Sequence, residues 1–306
     1  MSLRVAIGPS SFAAEDKTPI QLLEQAGCEI VPNPFSRRLT EEEIIEHLKG
    51  IDGLIAGLEP LNRKVIESAP QLKAIARVGI GVTNVDFDAA KEHNVIVSNT
   101  PDGPVNAVAE MTLTALLALC RQLIPTNNAL HNKEWKKSIG RGLLGAKVLL
   151  VGYGRIGRRV GKLLQAFGAE PIIFDPFADS ASIPNGLIQV HDLHEGLGKV
   201  DVISLHASGT DTLLGMDEFT HIQEGTILLN SARGELVDEA LLCEALDSGK
   251  ISGAWMDAFV EEPYTGPLCG YEQVLLSPHV GTYTKQCRLG MESAAVENIL
   301  RDLGLS

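Results

Sequence analysis

Three side chains with complementary chemistry stand near the ends of predicted strands in the last third of the chain. Arg233, Glu262 and His279 each follow one of three successive apolar segments. In an open parallel α/β sheet, ligands bind outside the carboxyl ends of the strands. A histidine there can exchange a hydroxyl proton, a carboxylate can hold its ring, and an arginine can bind a carboxylate bidentately. Together they indicate carbonyl or hydroxyl chemistry on a small acid, although each residue taken singly could be an ordinary loop or surface residue.

A second set of residues has the spacing of a dinucleotide-binding turn. Gly152, Gly154 and Gly157 follow the apolar run 148–151 in a G-x-G-x-x-G pattern. The first glycine permits a tight turn, the second lets the backbone approach a pyrophosphate, and the third lets the next helix pack close to the strand. A helix beginning near Arg155 would point its unpaired N–H groups and the positive end of its dipole at that pyrophosphate.

The residue predicted to bind the adenosine ribose is Asp175. It closes the next predicted strand, at the spacing of roughly 20 residues that is typical of this acid. A 2′-phosphate would be repelled by its carboxylate, and the following Pro176 and Phe177 supply no cation to receive one. We therefore predict NAD rather than NADP. The alternative is a glycine-rich turn that binds no ligand.

The bulk composition limits the classes of protein to consider. The chain has 306 residues, of which 44% are hydrophobic and 21% charged, and a net charge of −13, so attraction to nucleic acid or to an anionic membrane is not expected. Five scattered cysteines without a C-x-x-C pair suggest reduced thiols. With no leader-like or membrane-length apolar segment, we expect a soluble cytoplasmic protein. His191 and His194 lack a third ligand nearby in sequence, so no metal site is predicted.

The chain that must position these residues alternates strand and helix signals, which predicts an α/β fold with parallel sheets. Residues 1–98 form a first unit without a dinucleotide turn of its own. Its predicted strands cover residues 4–7, 29–31, 53–56, 72–76 and 95–97, and Thr40 with Glu43 has the spacing of a capping box.

A turn-rich break at residues 99–103 precedes a predicted helix at 105–121. Five or six parallel strands are then expected from the glycine-turn strand onward. The amphipathic segment 285–303 predicts a helix that packs back on the first unit. We therefore predict a substrate domain of residues 1–98 and 285–306 and a dinucleotide-binding domain of residues 99–284.

Six ordered motifs, spread over nearly the whole chain, resemble the D-isomer-specific 2-hydroxyacid dehydrogenase family, and within it the phosphoglycerate dehydrogenase-like branch. They are RVGIGVTNVD (77–86), NTPDGPVNAVAEMT (99–112), GYGRIG (152–157), NSARGELVDEALL (230–242), DAFVEEP (257–263) and SPHVGTYT (277–284). The resemblance implies two Rossmann-like lobes with doubly wound parallel sheets, the substrate lobe being flavodoxin-like. It also implies an active site in the cleft and a homodimer built on the nucleotide lobes.

The resemblance also implies a role for each matching residue. Arg233 would orient a 2-oxo acid, His279 would be the general acid and base, and Glu262 would be its carboxylate partner. Backbone N–H groups of Val78 and Gly79 would hold the substrate carboxylate.

For the cofactor, the resemblance places residues at three parts of NAD. The pyrophosphate would lie at Arg155 and Ile156, the ribose at Asp175, and the nicotinamide side near Ser231, Ala232 and Asp257. The expected reaction is hydride transfer between NAD(H) and a small 2-oxo or D-2-hydroxy acid.

Three alternatives remain open at this point. The loop at residues 56–59, Ala-Gly-Leu-Glu, lacks the cation that is usual for a phosphorylated substrate, unless Arg63 or Arg77 supplies one, so 3-phosphoglycerate is possible but not preferred. A regulatory, corepressor-like protein that senses NADH on the same fold is a second alternative. Formate oxidation is the third, although that branch carries Gln where Glu262 stands.

Overall fold

The computed structural model describes residues 2–184 and 186–305, which divide into two compact units. One unit holds the chain up to residue 104 together with the residues from 283 onward, and the other holds residues 105–282. Each unit is built on one parallel sheet flanked by helices. The α/β class with two parallel sheets, predicted from the alternating strand and helix signals, is confirmed.

The first unit contains a five-stranded sheet in the order β2-β1-β3-β4-β5, which is the flavodoxin-like order. Its strands are β1 (Arg4–Ile7), β2 (Glu29–Val31), β3 (Gly53–Ala56), β4 (Ala74–Arg77) and β5 (Ile96–Asn99). Its helices are α1 (Thr18–Gln25), α2 (Glu41–His47), α3 (Arg63–Glu67), α4 (Phe87–Glu92) and the C-terminal α11 (Lys285–Asp302).

Local sequence signals account for two features of this unit. Thr40 caps α2 with the predicted capping box: its hydroxyl accepts the Glu43 N–H, and the Glu43 carboxylate accepts the Thr40 N–H at 2.9 Å. Gly53 lets α11 lie close to β3, because a Cβ there would be 2.9 Å from Cδ1 of Leu303. As predicted, the C-terminal helix packs on the sheet of the first unit.

The second unit contains seven strands in the order β12-β11-β10-β9-β6-β7-β8, one or two more than expected. They are β6 (Lys147–Val151), β7 (Glu170–Phe174), β8 (Ile188–Val190), β9 (Val202–Leu205), β10 (Thr226–Asn230), β11 (Ile251–Met256) and β12 (Val274–Leu276). Its helices are α5 (Pro104–Cys120, which begins at the unit boundary), α6 (Leu123–His131), α7 (Arg155–Ala166), α8 (Leu193–Leu197), α9 (Met216–His221) and α10 (Glu239–Ser248). The strand order reverses between β6 and β9, and such a reversal opens a crevice for ligands.

In the seven-stranded sheet, successive side chains along a strand point to opposite faces and enter two separate cores. Leu149 and Ile203 pack with α8, α9 and α10, whereas Leu150 and Val202 pack with α5 and α7. Because both faces are covered, the strands read as continuous apolar runs. This burial fixes the sheet and therefore the edge at which the polar residues after each strand meet.

Helix α6 was not predicted, and its side chains are at most partly buried. Among the described residues no single helix is long and apolar enough to cross a membrane. Helices α5 and α6 reach the required length and composition only as a pair, and they are bent by 62° at their junction.

Candidate active site

The turn after β6 has a conformation that requires glycine. Gly152 has φ of +94°, and a Cβ there would lie 2.6 Å from the Ala207 N atom. A Cβ at Gly157 would lie 2.2 Å from the Gly152 carbonyl oxygen. Both distances are too short for any side chain, so the two glycines allow β6, its turn and α7 to pack against each other.

Helix α7 begins directly after this turn with its N-terminus unblocked. Its N-cap is Gly154, which has no side chain to accept the first N–H groups of the helix. A Cβ added at Gly154 would meet no atom of the described chain within 4 Å, so the space above the turn is open. Arg155 is exposed at the first helical position, and Ile156 turns its side chain toward the core. A helix N-terminus without a side-chain cap, next to open space, fits a pyrophosphate.

Asp175 lies just past β7 with both carboxylate oxygens engaged by the backbone. Oδ2 accepts the Tyr153 N–H at 2.7 Å, and Oδ1 accepts the Phe177 N–H at 2.8 Å. The first of these bonds joins Asp175 to the glycine turn itself. Because each carboxylate oxygen has two lone pairs, the side chain can still accept hydroxyl groups of a ribose.

His279 and Glu262 form a direct pair in the second unit. His279 Nδ1 lies 3.0 Å from Oε1 and 3.2 Å from Oε2 of Glu262. Glu262 Oε1 also accepts the Phe259 N–H at 3.2 Å, and both paired side chains are about one third exposed or less. With Nδ1–H donated to the carboxylate, Nε2 is the ring nitrogen left to exchange a proton with a ligand.

The backbone around His279 is held in an unusual conformation by Asp257. His279 has φ of +54°, a region that non-glycine residues rarely occupy outside functional sites. The Asp257 carboxylate is 2% exposed and accepts hydrogen bonds from Ser277 Oγ at 2.6 Å, Val280 N–H at 2.9 Å and Gly281 N–H at 2.8 Å. Asp257 therefore fixes the segment that carries His279, and its predicted place near the nicotinamide remains a prediction.

Arg233 lies in a turn that the fully buried Asn230 stabilises through two hydrogen bonds. The Asn230 amide nitrogen donates to the Arg233 carbonyl at 2.8 Å, and its oxygen accepts the Ala232 N–H at 3.0 Å. Ser231 and Ala232 are partly buried in the same turn. These two hydrogen bonds fix the backbone conformation at Arg233 after the end of β10.

A glycine brings this turn against the segment that carries Glu262. A Cβ at Gly234 would lie 2.2 Å from the carbonyl carbon of Phe259 and 2.3 Å from the nitrogen of Val260. The loops after β10, β11 and β12 thus lie side by side, and the structure places Arg233, Glu262 and His279 on three neighbouring loops. Sequence reasoning missed Asn230 and Gly234, and it assigned Asp257 to the nicotinamide side without its supporting role for the His279 segment. Strand register offers a signal for one of them, because Met256 pairs with Leu276, so Asp257 and Ser277 follow at one edge.

In the first unit, the two predicted substrate-binding N–H groups already have acceptors. The Val78 N–H donates to the Ala56 carbonyl at 2.9 Å, and the Gly79 N–H donates to Oγ1 of the buried Thr100 at 2.7 Å. In this conformation both N–H groups donate to acceptors within the protein. Their predicted role therefore requires that they share or exchange these bonds.

Comparison with known proteins identifies the second unit as a domain of one family. Residues 113–281, more than half of the chain, match the NAD-binding domain of the D-isomer specific 2-hydroxyacid dehydrogenases. The chain therefore belongs to the D-isomer specific 2-hydroxyacid dehydrogenase family, a family of NAD-dependent oxidoreductases, and the cofactor of this domain is NAD. The unblocked α7 N-terminus and Asp175 agree with that cofactor.

Individual relatives agree with this assignment. D-3-phosphoglycerate dehydrogenase of Methanocaldococcus jannaschii is 35% identical over 294 residues, which cover 93% of this chain and 55% of that protein. The chain spans about half the length of the curated relatives it matches. Among solved structures, the TT0316 protein of Thermus thermophilus is 32% identical with a TM-score of 0.89, covering 99% of this chain and 97% of its own. A glyoxylate reductase from Paecilomyes thermophila is 27% identical with a TM-score of 0.86, covering 98% and 94%.

Proposed function

We propose that this protein transfers a hydride between NAD(H) and the C2 carbon of a small, unphosphorylated 2-oxo or D-2-hydroxy acid. The observation that carries the proposal is the His279–Glu262 pair, 3.0 Å apart, in the same unit as the glycine turn. An imidazole that is oriented by a carboxylate can deliver a proton to a carbonyl oxygen or remove it from a hydroxyl group. NADH would supply the hydride.

Each residue of the second unit has a separate task in this proposal. His279 Nε2 donates its proton to the oxygen of the 2-oxo group during reduction and takes it back during oxidation. Glu262 holds the ring through Nδ1, so it acts as a positioning residue. Arg233 binds the negatively charged substrate with its guanidinium group. Asn230 and Asp257 keep the loops of Arg233 and His279 in place.

Two observations support an unphosphorylated substrate. Arg63 is not available as a phosphate ligand in this conformation, because its Nη1 and Nη2 atoms bond to the Glu92 carboxylate at 2.6 and 3.1 Å. The loop after β3 ends in Glu59, a carboxylate that is 1% exposed. Arg77 bonds to the Val78 carbonyl and faces this buried negative charge. The relatives named above include both a phosphoglycerate dehydrogenase and a glyoxylate reductase, so the family leaves both substrate types open.

The deciding experiment is NADH oxidation across a panel of glyoxylate, hydroxypyruvate, pyruvate, bulkier 2-oxo acids and 3-phosphohydroxypyruvate. We expect turnover with an unphosphorylated acid. His279→Ala should lower kcat by about 10²- to 10⁴-fold while NADH still binds. Arg233→Ala should lower kcat/KM by about 10- to 100-fold, from the loss of a charged hydrogen-bonded contact. Arg121→Ala, at an exposed arginine of the same unit, is the matched control.

The possible outcomes separate the competing functions. Turnover restricted to the phosphorylated acid would contradict the proposed substrate class but keep the dehydrogenase. Tight NADH binding without turnover on any acid would contradict the enzyme and favour the NADH-sensing alternative. Loss of NADH binding as the main defect of His279→Ala would contradict its role in proton transfer.

We also propose that the protein is a homodimer formed through the segment 123–144 of the second unit. This segment exposes six large apolar side chains, namely Leu123 (57%), Ile124 (41%), Leu130 (56%), Trp135 (80%), Ile139 (101%) and Leu144 (87%). A concentration of exposed apolar side chains in one segment is typical of a protein interface. Light scattering should give a dimer that the double variant Trp135→Ser, Ile139→Ser converts to a monomer. Phe177→Ser, which removes an equally exposed side chain elsewhere, should stay dimeric, and an unchanged dimer in the double variant would contradict this interface.

A further inference from the structure

Two imidazoles and a carboxylate from separate helices meet on the surface of the second unit. His194 comes from α8, and Asp217 and His221 come from α9. One ligand atom of each lies within 4.8 Å of the others. Asp217 and His221 are four residues apart, which places both on one face of α9. None of these residues takes part in the proposed dehydrogenase chemistry.

The distances around His194 match those between two ligands of one metal ion. Its Nε2 lies 3.5 Å from Oδ2 of Asp217 and 3.4 Å from Oε1 of Glu218. Zinc binds nitrogen and oxygen ligands at about 2.0 to 2.2 Å in a tetrahedral arrangement, so two of its ligands lie roughly 3.4 Å apart. The same short distances with a proton in place of a metal would describe an imidazolium ion between two acids.

The hydrogen bond of His221 is compatible with the metal-binding description. Its Nδ1 lies 2.9 Å from the backbone carbonyl of Asp217, so Nδ1 carries the hydrogen and Nε2 keeps a free lone pair. Histidines that bind metals usually donate their second ring N–H in this way to a carbonyl or carboxylate. The same interaction fixes the tautomer that presents Nε2 as a ligand. The arrangement of His221 is therefore that of a metal ligand.

One histidine ring must rotate before all three side chains can bind the same metal ion. The rings of His194 and His221 are stacked, with 4.1 Å between centroids and 2° between planes. A metal ion lies in the plane of each imidazole that binds it, so one ring has to turn about its side-chain bonds. The His221 side chain is 41% exposed and the His194 side chain is 32% exposed, so such a rotation meets little resistance.

We propose that His194, Asp217 and His221 bind one divalent transition-metal ion, with zinc as the chemically best match, and that Glu218 or water completes the shell. Imidazole and carboxylate together suit zinc, nickel and cobalt better than calcium or magnesium, which prefer oxygen ligands alone. The ion joins α8 to α9 and so stabilises the outer layer of the second unit. The sequence predicted no metal site, neither at His191 with His194 nor from the spacing of the other histidines, because Asp217 and His221 lie more than twenty residues after His194 in the chain.

The test measures bound metal directly on the full-length protein. The protein is treated with a chelator, dialysed against zinc chloride and analysed for zinc by atomic emission. One zinc equivalent should disappear in both His194→Ala and His221→Ala and remain in His191→Ala, an exposed histidine just before α8. Zinc held by cysteines or by His279 would be unchanged in all three variants, so the difference isolates this site.

A thermal scan adds an independent readout. Zinc should raise the Tm of the parent protein and of His191→Ala more than that of His194→Ala, because a ligand that binds only the folded state stabilises it. An equal zinc content in the parent, His194→Ala and His221→Ala would overturn the proposal. The absence of bound zinc from the parent protein would overturn it as well, and would leave the imidazolium description.

Discussion

Both units of this protein are built on a parallel sheet, but the turn after β6 in the second unit and the turn after β1 in the first unit differ. In the second unit, β6 leads through Gly152 and Gly154 straight into α7, whose N-terminus is open. In the first unit, β1 leads through Gly8 into a long loop, and α1 begins only at Thr18. In the described part of the first unit, no helix therefore begins directly after this turn.

The turns after β1 and β6 also differ in charge. The Glu59 carboxylate of the first unit packs over Gly8, where an added Cβ would lie only 1.9 Å from its Oε1. The Gly57 N–H donates to this carboxylate at 2.9 Å. A side-chain anion of the protein thus fills the space after β1, whereas the space after β6 is open and lined by N–H groups. Parallel topology alone does not make a dinucleotide site, because the turn must also leave room for an external anion.

Gly152→Ala should produce the largest effect, because it would make the second turn as closed as the first. The new methyl group would clash with the Ala207 backbone at 2.6 Å, and φ of +94° disfavours any side chain. We expect the NADH affinity measured by fluorescence titration to fall by about 100-fold or more, which corresponds to about 2.7 kcal/mol. Gly249→Ala is the matched control, since Gly249 has φ of +82° but no atom of the described chain within 4 Å of its Cβ position. That control should lose stability but keep NADH affinity, and equal losses of affinity in both variants would contradict the steric argument.

Asp175→Ser should have the next largest effect, and it tests the acid at the far end of the cofactor. The carboxylate holds the Tyr153 and Phe177 N–H groups at 2.7 and 2.8 Å and repels a 2′-phosphate. Its removal should weaken NADH binding by about 10-fold and lower the preference for NADH over NADPH by about 10- to 100-fold, as expected for a hydrogen bond to a charged group. Titration with both cofactors gives the ratio. The exposed Asp179, replaced by Ser, should leave that ratio unchanged, and an unchanged ratio for Asp175→Ser would count against the ribose assignment.

The glycine turn, most strand positions and the final helix could be predicted from sequence because each depends on local pattern. Gly152 to Gly157 act through their own backbone, and a buried parallel strand is a continuous apolar run whatever its neighbours are. Helix α6 was missed because Pro125, Asn127 and Asn128 interrupt the apolar pattern and few of its side chains enter the core.

The polar network behind the candidate site could not be predicted for a different reason. Arg233, Glu262 and His279 were found because each follows a strand, and Asp257 was assigned through the family resemblance to the nicotinamide side, whereas Asn230 lies at the end of β10 and reads as part of the strand. The partners of Asn230 and Asp257 depend on which strands are neighbours and in what register, and a single sequence does not give that information. The cluster of His194 with Asp217 and His221 escaped prediction for the same reason.

The next largest effect is expected when the stability of the second unit is measured as a function of pH. Burial lowers the pKa of His206, which follows β9, to about 4, whereas an unfolded histidine has a pKa of about 6.5. The folded state therefore binds fewer protons than the unfolded state between these values. Stability is full above about pH 6.5 and is lost as the pH falls toward 4. Hydrogen exchange of peptides from β9 should show this loss, and His206→Gln should reduce it.

A second histidine provides the control for that series. Burial also lowers the pKa of His47 in α2, so His47→Gln should change the acid response of the first unit and leave β9 unaffected. If β9 lost protection on acidification equally in His206→Gln and in the parent protein, another group would have to carry the effect.

The smallest effect, and the one that separates the two units most clearly, concerns Glu59. Burial raises the pKa of this carboxyl group, although the Gly57 N–H and the charges of Arg77 and Arg38 act in the opposite direction. A carboxyl group with a raised folded pKa contributes stability below its unfolded pKa of about 4.3 and loses it as the pH rises through the folded value. At neutral pH the buried charge therefore weakens the first unit, whereas acid weakens the second unit through His206. Glu59 and His206 should therefore contribute to the stability of their units with opposite dependence on pH.

Glu59→Gln tests this contrast because the amide keeps an acceptor for the Gly57 N–H while removing the charge. We expect the variant to stabilise the first unit at pH 7 by on the order of 1 kcal/mol and to show no gain near pH 4, where the parent carboxyl group is protonated as well. Hydrogen exchange of β1 and β3 peptides gives the measurement, and Glu67→Gln, at an exposed glutamate of α3, is the control. A loss of stability at pH 7 would mean that attraction to Arg77 outweighs the cost of burying the charge. Glu59 would then be a structural ion-pair partner, and the closed turn of the first unit would depend on the pair rather than on the packing over Gly8.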